Sequence, residues 1–435
     1  MGVRRVRGWL REAAGGLPRQ FWFLWTGTLI NRLGSFVLIY LALYLTQDLH
    51  FTPSSAGLVM GAWGVGGGIG TLTGGVLTDR WGRRPTMLTA QFGAAGLMLA
   101  LGFAQGFWQL LAGTFLLGLF SEGVRPAFQA MMIDVVPDKD RVRAYSLNYW
   151  AINLGFAFSA VLAGFAAKAD FLLLFVIDAG TTLLTAVMFL IFLAETRPVR
   201  AAVRRVRGGP GLGTVFRDRV FLGFLALNFL VVLVIMQHMS TLPIAMSDDG
   251  LSTATFGWVI AVNGLMIVAG QLFIPKLIDG HNRSRVLALA TLITGAGFGL
   301  TAFAGSAGFY VLTVVIWTLG EMLQSPSNSA LVAELSPSLL RGRYQGVSSL
   351  SWSAGGALAP VAGGFVQQHF GSEVLWLACA VIGAVVAVGQ LVSGPARERR
   401  AAELRVSAPI APSPVSTETR HEQDVTPPVR PRPAR

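Results

Sequence analysis

Long apolar stretches alternate with short charged connections along the whole chain. Twelve of them lie at roughly 20–46, 54–76, 87–105, 108–134, 144–168, 171–194, 219–246, 255–278, 285–304, 307–333, 344–369 and 372–394. Each is near the ~20 residues with which an α-helix crosses a bilayer. A helix satisfies its own backbone, as lipid demands, whereas barrel strands are shorter and alternate apolar with polar positions. The pattern predicts an all-α integral membrane protein of twelve spanning helices in two six-helix halves. Its expected parts are a cytoplasmic N-terminus (1–19), a first bundle (20–194), a linker (195–218), a second bundle (219–394) and a disordered cytoplasmic tail (395–435).

The connections differ in kind. The linker is rich in Arg and Gly and reads as part interfacial helix, part flexible chain. The tail turns charged and then Pro-rich, a composition that buries no core and serves either a binding partner or solubility. Arg4, Arg5, Arg7, Arg11 and Arg19 precede the first span without a short apolar region and cleavage site, so a cytoplasmic lead-in is expected, not a signal peptide.

Charge is scarce, at 13% of residues, while 53% are hydrophobic. A soluble domain carries about 25% charged residues. The net charge of +12 is a matter of placement: all but three of the 34 basic residues fall at the termini or in connections on one side. Arg32 and Arg125 lie within spans, and Lys168 lies on the opposite side. This asymmetry places both termini and the linker in the cytoplasm and excludes a nucleic-acid footprint. A single cysteine, Cys379, permits no disulfide framework, and the five histidines have no metal-ligand spacing. The Gly-rich run at 63–70 lacks the Lys-Ser/Thr of a phosphate loop, so no nucleotide, metal or other cofactor is expected, nor a catalytic constellation.

The two halves repeat at one gap-free offset of 200 residues. Gly57/Gly257, Gly64/Gly264, Gly70/Gly270, Asp79/Asp279, Arg83/Arg283, Pro126/Pro326, Pro137/Pro337, Arg141/Arg341 and Gly164/Gly364 all match. Apolar helix residues interchange freely, so matches concentrated in Gly, Pro, Asp and Arg mean shared backbone geometry and shared charged turns. Parallel duplication of this kind is a mark of one class of secondary transporters.

Between spans 2 and 3 the chain reads GGVLTDRWGRRP. Gly75 and Gly82 allow close approach and a tight turn, Asp79 can cap the turn or pair with Arg83, and Arg80, Arg83 and Arg84 suit an anionic membrane surface. The arginines alone could be a topology signal; the acid at 79, repeated at 279, calls for more. The segment resembles the loop signature of the major facilitator superfamily, Gly-x-Leu-x-Asp-Arg-x-Gly-Arg-Arg, on Gly75, Leu77, Asp79, Arg80, Gly82, Arg83 and Arg84. The resemblance covers residues 20–394 and implies a rocker-switch transporter whose cavity lies between the halves, with Asp79 latching the outward-open state. Span 5, NLGFAFSAVLAGF, resembles the antiporter motif of the drug:proton branch. It keeps Gly155 and Gly164 but has Ser159–Ala160 and Ala163 at the kernel, and Thr114 stands where the span 4 signature has Arg.

A charge at mid-bilayer costs at least about 2.5–3.5 kcal/mol and needs a partner or a wet cavity. Arg32 falls mid-span, and Glu122 has Arg125 three residues on and on the same helix face, as a structural ion pair or a coupling site. Glu321 has no cation within a turn, so it can take and release a proton, and it resembles the span 10 acid of drug:proton antiporters. Asp178, in the outer part of span 6, is a further proton-coupling candidate. Asp134 and its repeat mate Glu334 close spans 4 and 10 and are expected to pair with Arg141 and Arg341 at the gate. Tyr40, Asn148, Asn153, Gln237, His238, Asn263, Gln324 and Trp352 sit at cavity depth with Arg32, as substrate contacts or as helix-packing residues. Aromatic groups beside few charges suit a bulky, partly apolar substrate.

The expected function is export of amphiphilic small molecules, drugs or metabolites, in exchange for protons, by a monomer in a bacterial inner membrane. A proton-coupled nutrient importer and a transport-dead sensor or scaffold are the alternatives. The expected partners are the lipid bilayer, protons and a small-molecule substrate.

Overall fold

The computed structural model describes residues 15–196, 212–271, 273–337 and 340–406, and among them there are helices and turns but no strand. The first half comprises α1 (Arg19–Leu33), α2 (Pro53–Arg80), α3 (Arg83–Gly102), α4 (Phe107–Val135), α5 (Arg141–Ala169) and α6 (Leu172–Phe192). The second comprises α7 (Arg219–Ile235), α8 (Thr253–Gly270), α9 (Arg283–Leu300), α10 (Ala307–Leu335), α11 (Arg341–Phe370) and α12 (Ser372–Val392). Among the described residues nine of these spans are long and apolar enough to cross a membrane on hydropathy alone. The remaining three, α2, α3 and α11, are 28, 20 and 30 residues long, but Gly, Ser, Gln and terminal Arg dilute them. Leu72, Val76, Ile191, Val381 and Val388 are each more than half exposed, a surface that lipid covers and water would not tolerate.

Two spans are broken at matching places. α1 stops at Leu33 and the chain resumes as Val37–Leu43 and a π-turn, Tyr44–Asp48. α7 stops at Ile235 and continues as Gln237–Ser240 and Leu242–Asp248. Phe36 in the first break and Met236 in the second are 200 residues apart.

The tail departs from expectation over its first residues. Gly394–Val406 forms a helix, α13, where a structureless tail from 395 was predicted. Its run of Arg, Ala, Glu and Leu favours helix, and three side chains tie it down. Arg397 is buried and donates to the Gln390 side chain and carbonyl and to Ser284. Arg400 pairs with Asp218 at 3.2 Å, and Glu398 accepts from Asn282 at 2.7 Å. Burial lowers the Arg397 guanidinium to about 10, so it stays charged at neutral pH. Residues 407–435, 1–14 and 197–211, and with them most of the predicted lead-in, linker and tail, lie outside the described residues.

The halves meet at the end remote from the Arg-rich connections. There α2 packs along α11, and α8 packs along α5. A Cβ at Gly57 would collide with the Pro360 carbonyl, and one at Gly364 with the Pro53 carbonyl. Gly257 meets the Ala160 carbonyl and Gly164 the Thr253 carbonyl in the same way, so the repeat is a two-fold relation in space. Hydrogen bonds cross the seam at this remote end, from Tyr40 to Thr253 (3.1 Å), Gln47 to Ser247 (2.6 Å) and Ser54 to Gln368 (3.1 Å). The hydrophobic core is continuous across it, joining Tyr40 and Ala160 to Phe256 and Trp317. At the basic end the cores are separate, one around Phe21, Met131 and Phe189, the other around Phe221, Leu335 and Tyr344. Gly75, Gly342 and Gly346 there have open space where a Cβ would go.

Candidate functional site

A cavity of about 590 Å³ lies mainly within the first half, lined from α1 to α6, with Met239 reaching in from the second. Its charged lining is Arg32, Glu122, Arg125 and Asp178. On α4 the predicted i,i+3 pair is made, Arg125 Nε lying 3.2 Å from Glu122. Gly155 of α5 lets α1 come close enough to hold Arg32 here: a Cβ at 155 would lie 2.5 Å from the Arg32 Cβ.

Asp178 answers a backbone need. Where α1 breaks, the N–H groups of Phe36 and Val37 begin a new helical segment without intrahelical acceptors. One carboxylate oxygen of Asp178 accepts from both, at 3.1 Å each. The acid is 3% exposed and sits across the helix interface from the break it caps.

The remaining predicted cavity residues separate into groups. Asn148 lines the cavity with Arg32, as does Gln91, which sequence reasoning did not single out. Both amide oxygens are buried without a hydrogen-bond partner. Tyr40 is fully buried in the seam, donating to the Ala160 and Thr253 carbonyls. Asn153 is bonded to the Tyr149 carbonyl on its own helix. Gln237 donates to the Leu233 and Ala359 carbonyls at the α7 break. His238 rests on the Ile235 carbonyl with its ring 5.7 Å from that of Trp317. Gln324 is buried with an unpartnered oxygen, and Trp352 is 40% exposed.

Glu321 stands apart from the cavity lining. It accepts from Asn263 Nδ2 at 2.9 Å, and the same amide donates to Thr318 at 3.0 Å. No cation pairs with it among the described residues. Tyr149, which does line the cavity, lies within electrostatic reach of it.

At the basic end, ion pairs repeat with the halves. Arg83 Nε is 2.9 Å from Asp134, and 200 residues on Arg283 is 2.6 Å from Glu334. Two pseudo-equivalent bundles, a seam of glycines at one end and paired charged turns at the other describe a transporter of known architecture. The sequence profile of the Major Facilitator Superfamily matches residues 24–245 and 225–423. The chain belongs to the major facilitator superfamily. It is 26% identical over 359 residues to an uncharacterized MFS-type transporter, YqjV, of Bacillus subtilis, covering 81% of this chain and 87% of the relative. It is 26% identical over 369 residues to the multidrug resistance protein MdtH of Aeromonas hydrophila, covering 84% and 92%. In structure it is similar to the nucleoside transporter NupG, with TM-score 0.74 at 14% identity over 86% of this chain and 99% of that one. A POT family transporter in complex with 5-aminolevulinic acid gives 0.76 at 16% identity over 88% and 98%. These likenesses to solved structures concern the fold.

The superfamily loop signature is thus placed at a turn whose partners differ from those expected. Arg83 takes Asp134 in place of Asp79, and Thr196 donates to the same carboxylate oxygen at 2.9 Å. Arg141 instead pairs with Asp138 at 2.9 Å and donates to the Ile133 carbonyl. The Arg341 side chain lies outside what is described. Two residues on from Arg80, Gly82 takes φ +117°, which a side chain would resist. The cap of α3 is Glu195, absent from the sequence candidates: its carboxylate accepts from the Arg83 and Arg84 N–H groups at 3.0 Å each. Its one signal is an acid directly after an apolar run, which does not say which helix it caps. The Arg84 side chain donates to the Leu190 carbonyl. The Asp79 and Arg80 side chains are exposed and make no hydrogen bond or ion pair with the described residues.

Proposed function

We propose that this protein is a proton-coupled exporter of amphiphilic small molecules, seen with its cavity open to the cytoplasm. The charged, largely apolar-walled cavity beside a seam closed only at the non-basic end supports this reading. A bulky guest can reach it from one side and is blocked on the other. The excess of Arg at the open end supports a cytoplasmic orientation for it, and the relatives named as multidrug resistance proteins agree with outward traffic. Rocking the halves would close the basic end around Gly75 and Gly346, part the glycine seam, and expose the cavity outside.

In this scheme Glu321 carries the proton. It has a hydrogen-bond donor to hold its carboxylate but no cation among the described residues to fix its charge, and Tyr149, which lines the cavity, lies within electrostatic reach of it. Asp79, solvent-exposed when the basic end is open, finds its partner on the opposite half when that end closes. Asp178 keeps the outer piece of the first span, with the Tyr40 seal, in place.

The test uses everted membrane vesicles with a preformed proton gradient. Antiport is expected to show as collapse of the gradient on adding an amphiphilic substrate. Uptake driven by an inward proton gradient in right-side-out vesicles would establish the importer instead. Reporters fused after Arg435 and within 200–210 should read cytoplasm, and one after Asp249 should read outside; the reverse would overturn the orientation.

A further inference from the structure

The cavity contains two carboxylates and two guanidinium groups, but only one of the four is uncommitted. Glu122 is engaged by Arg125, and Asp178 by two backbone N–H groups. The Arg32 side chain makes no hydrogen bond and no ion pair with the described residues, although Glu122, Asp178 and Arg125 all lie within electrostatic reach. A guanidinium has five N–H donors in a planar fork that fits a carboxylate or phosphate with two parallel bonds. Leaving it unpaired within the membrane is costly unless water or a ligand supplies acceptors.

The same cavity also carries acceptors. Gln91 and Asn148, 7% and 8% exposed, line it with amide oxygens that lack a donor among the described residues. These suit a hydroxyl or N–H on the body of the guest and not its anionic head. The rest of the wall includes Leu117, Phe128 and Phe156, suited to a flat apolar body. We infer that the cavity selects amphiphiles bearing an anionic head, a carboxylate or a group of like geometry, which docks on Arg32 while the apolar body lies between α4 and α5. A cationic head would instead have to displace Arg125 from Glu122 and sit facing a free guanidinium, so repulsion excludes it. The inference rests on the transport reading for the ligand being cargo, while the binding preference can be measured without transport.

The experiment is calorimetry on the purified full chain in a neutral detergent with three probes of one shape: 2-naphthoate, 2-naphthamide and 2-naphthylmethylammonium. Naphthoate is expected to bind at least about tenfold more tightly than the amide, and the ammonium probe more weakly than either. Arg32→Gln should erase the naphthoate advantage over the amide, with an unchanged thermal melting temperature showing the variant to be folded. Arg32→Lys should restore part of it. A naphthoate preference that survives Arg32→Gln, a preference for the ammonium probe, or no binding of any probe to the native protein overturns the inference. Naphthoate that binds through Arg32 yet leaves the proton gradient of everted vesicles intact would defeat the transport reading and leave the site standing.

Discussion

Gly57 lies against the carbonyl of Pro360 so closely that no side chain fits between them. Its repeat mate Gly257 stands in the same relation to Ala160, so both seams between the halves are built on backbone-to-backbone contact. Contacts of this kind part and re-form without interlocked side chains to untangle. Gly57→Leu is expected to disfavour the conformer described here, at a cost of about 1–3 kcal/mol from overpacking. Cysteine labelling from the outer face at Ser54→Cys, a nearly isosteric change at the same seam, should then rise severalfold. Unchanged labelling in a stable Gly57→Leu protein would show that this seam does not open.

Along α2 and α11 the contacts step inward from Gly57 with Pro360 to Gly61 with Ala357 and Gly68 with Ser353, and then cease. Continued by two turns, the register brings Gly75 opposite Gly346, both of which now face open space. In a Cys379→Ser background, the pair Gly75→Cys and Gly346→Cys should cross-link little at rest. It should cross-link strongly when substrate and an opposed proton gradient drive turnover. Equal cross-linking under both conditions would remove the rocking motion from the scheme.

The cap on the first span's break separates structure from coupling. Asp178→Ala leaves the Val37 N–H group without an acceptor among the described residues and the Phe36 N–H with the Gly34 carbonyl alone. The orphaned group costs about 1–3 kcal/mol, and the change should lower thermal stability of the purified protein. Asp178→Asn keeps an acceptor oxygen and should stay near native stability. If Asp178→Asn also transports with unaltered pH dependence, the residue is a cap alone; a flattened pH profile would assign it a share of the proton.

Glu321→Gln keeps shape and hydrogen-bonding capacity but holds the site neutral. Substrate binding should persist, downhill exchange should continue, and uphill, pH-dependent export should be lost. Uphill export with native pH dependence would move the proton site to Glu122 or Asp178.

Asp79→Asn should lose most transport with normal membrane expression, since Asp79 has no partner among the described residues in this conformer and its charge is spent, in the scheme above, on the closed basic end. Full transport by the variant would reduce the loop to a topology signal.

The sequence by itself determined the helices, their pairing into halves and the family, because those rest on one-dimensional quantities. Run length meets bilayer thickness, Arg counts sort the connections, and the 200-residue repeat is gap-free. It also determined the Glu122–Arg125 pair, which helix periodicity alone puts on one face. Pairings between elements were decided by tertiary structure. Arg83 could reach Asp79 by sequence distance, yet α4 presents Asp134 to it, and Glu195 caps a helix more than a hundred residues earlier. Tyr40 and Asn148 are alike as polar groups at mid-span, and only packing sends one into the seam and the other to the cavity wall. Arg32 was visible as a mid-span charge, but its freedom was not, since an unpaired group is defined by what every neighbouring helix fails to offer.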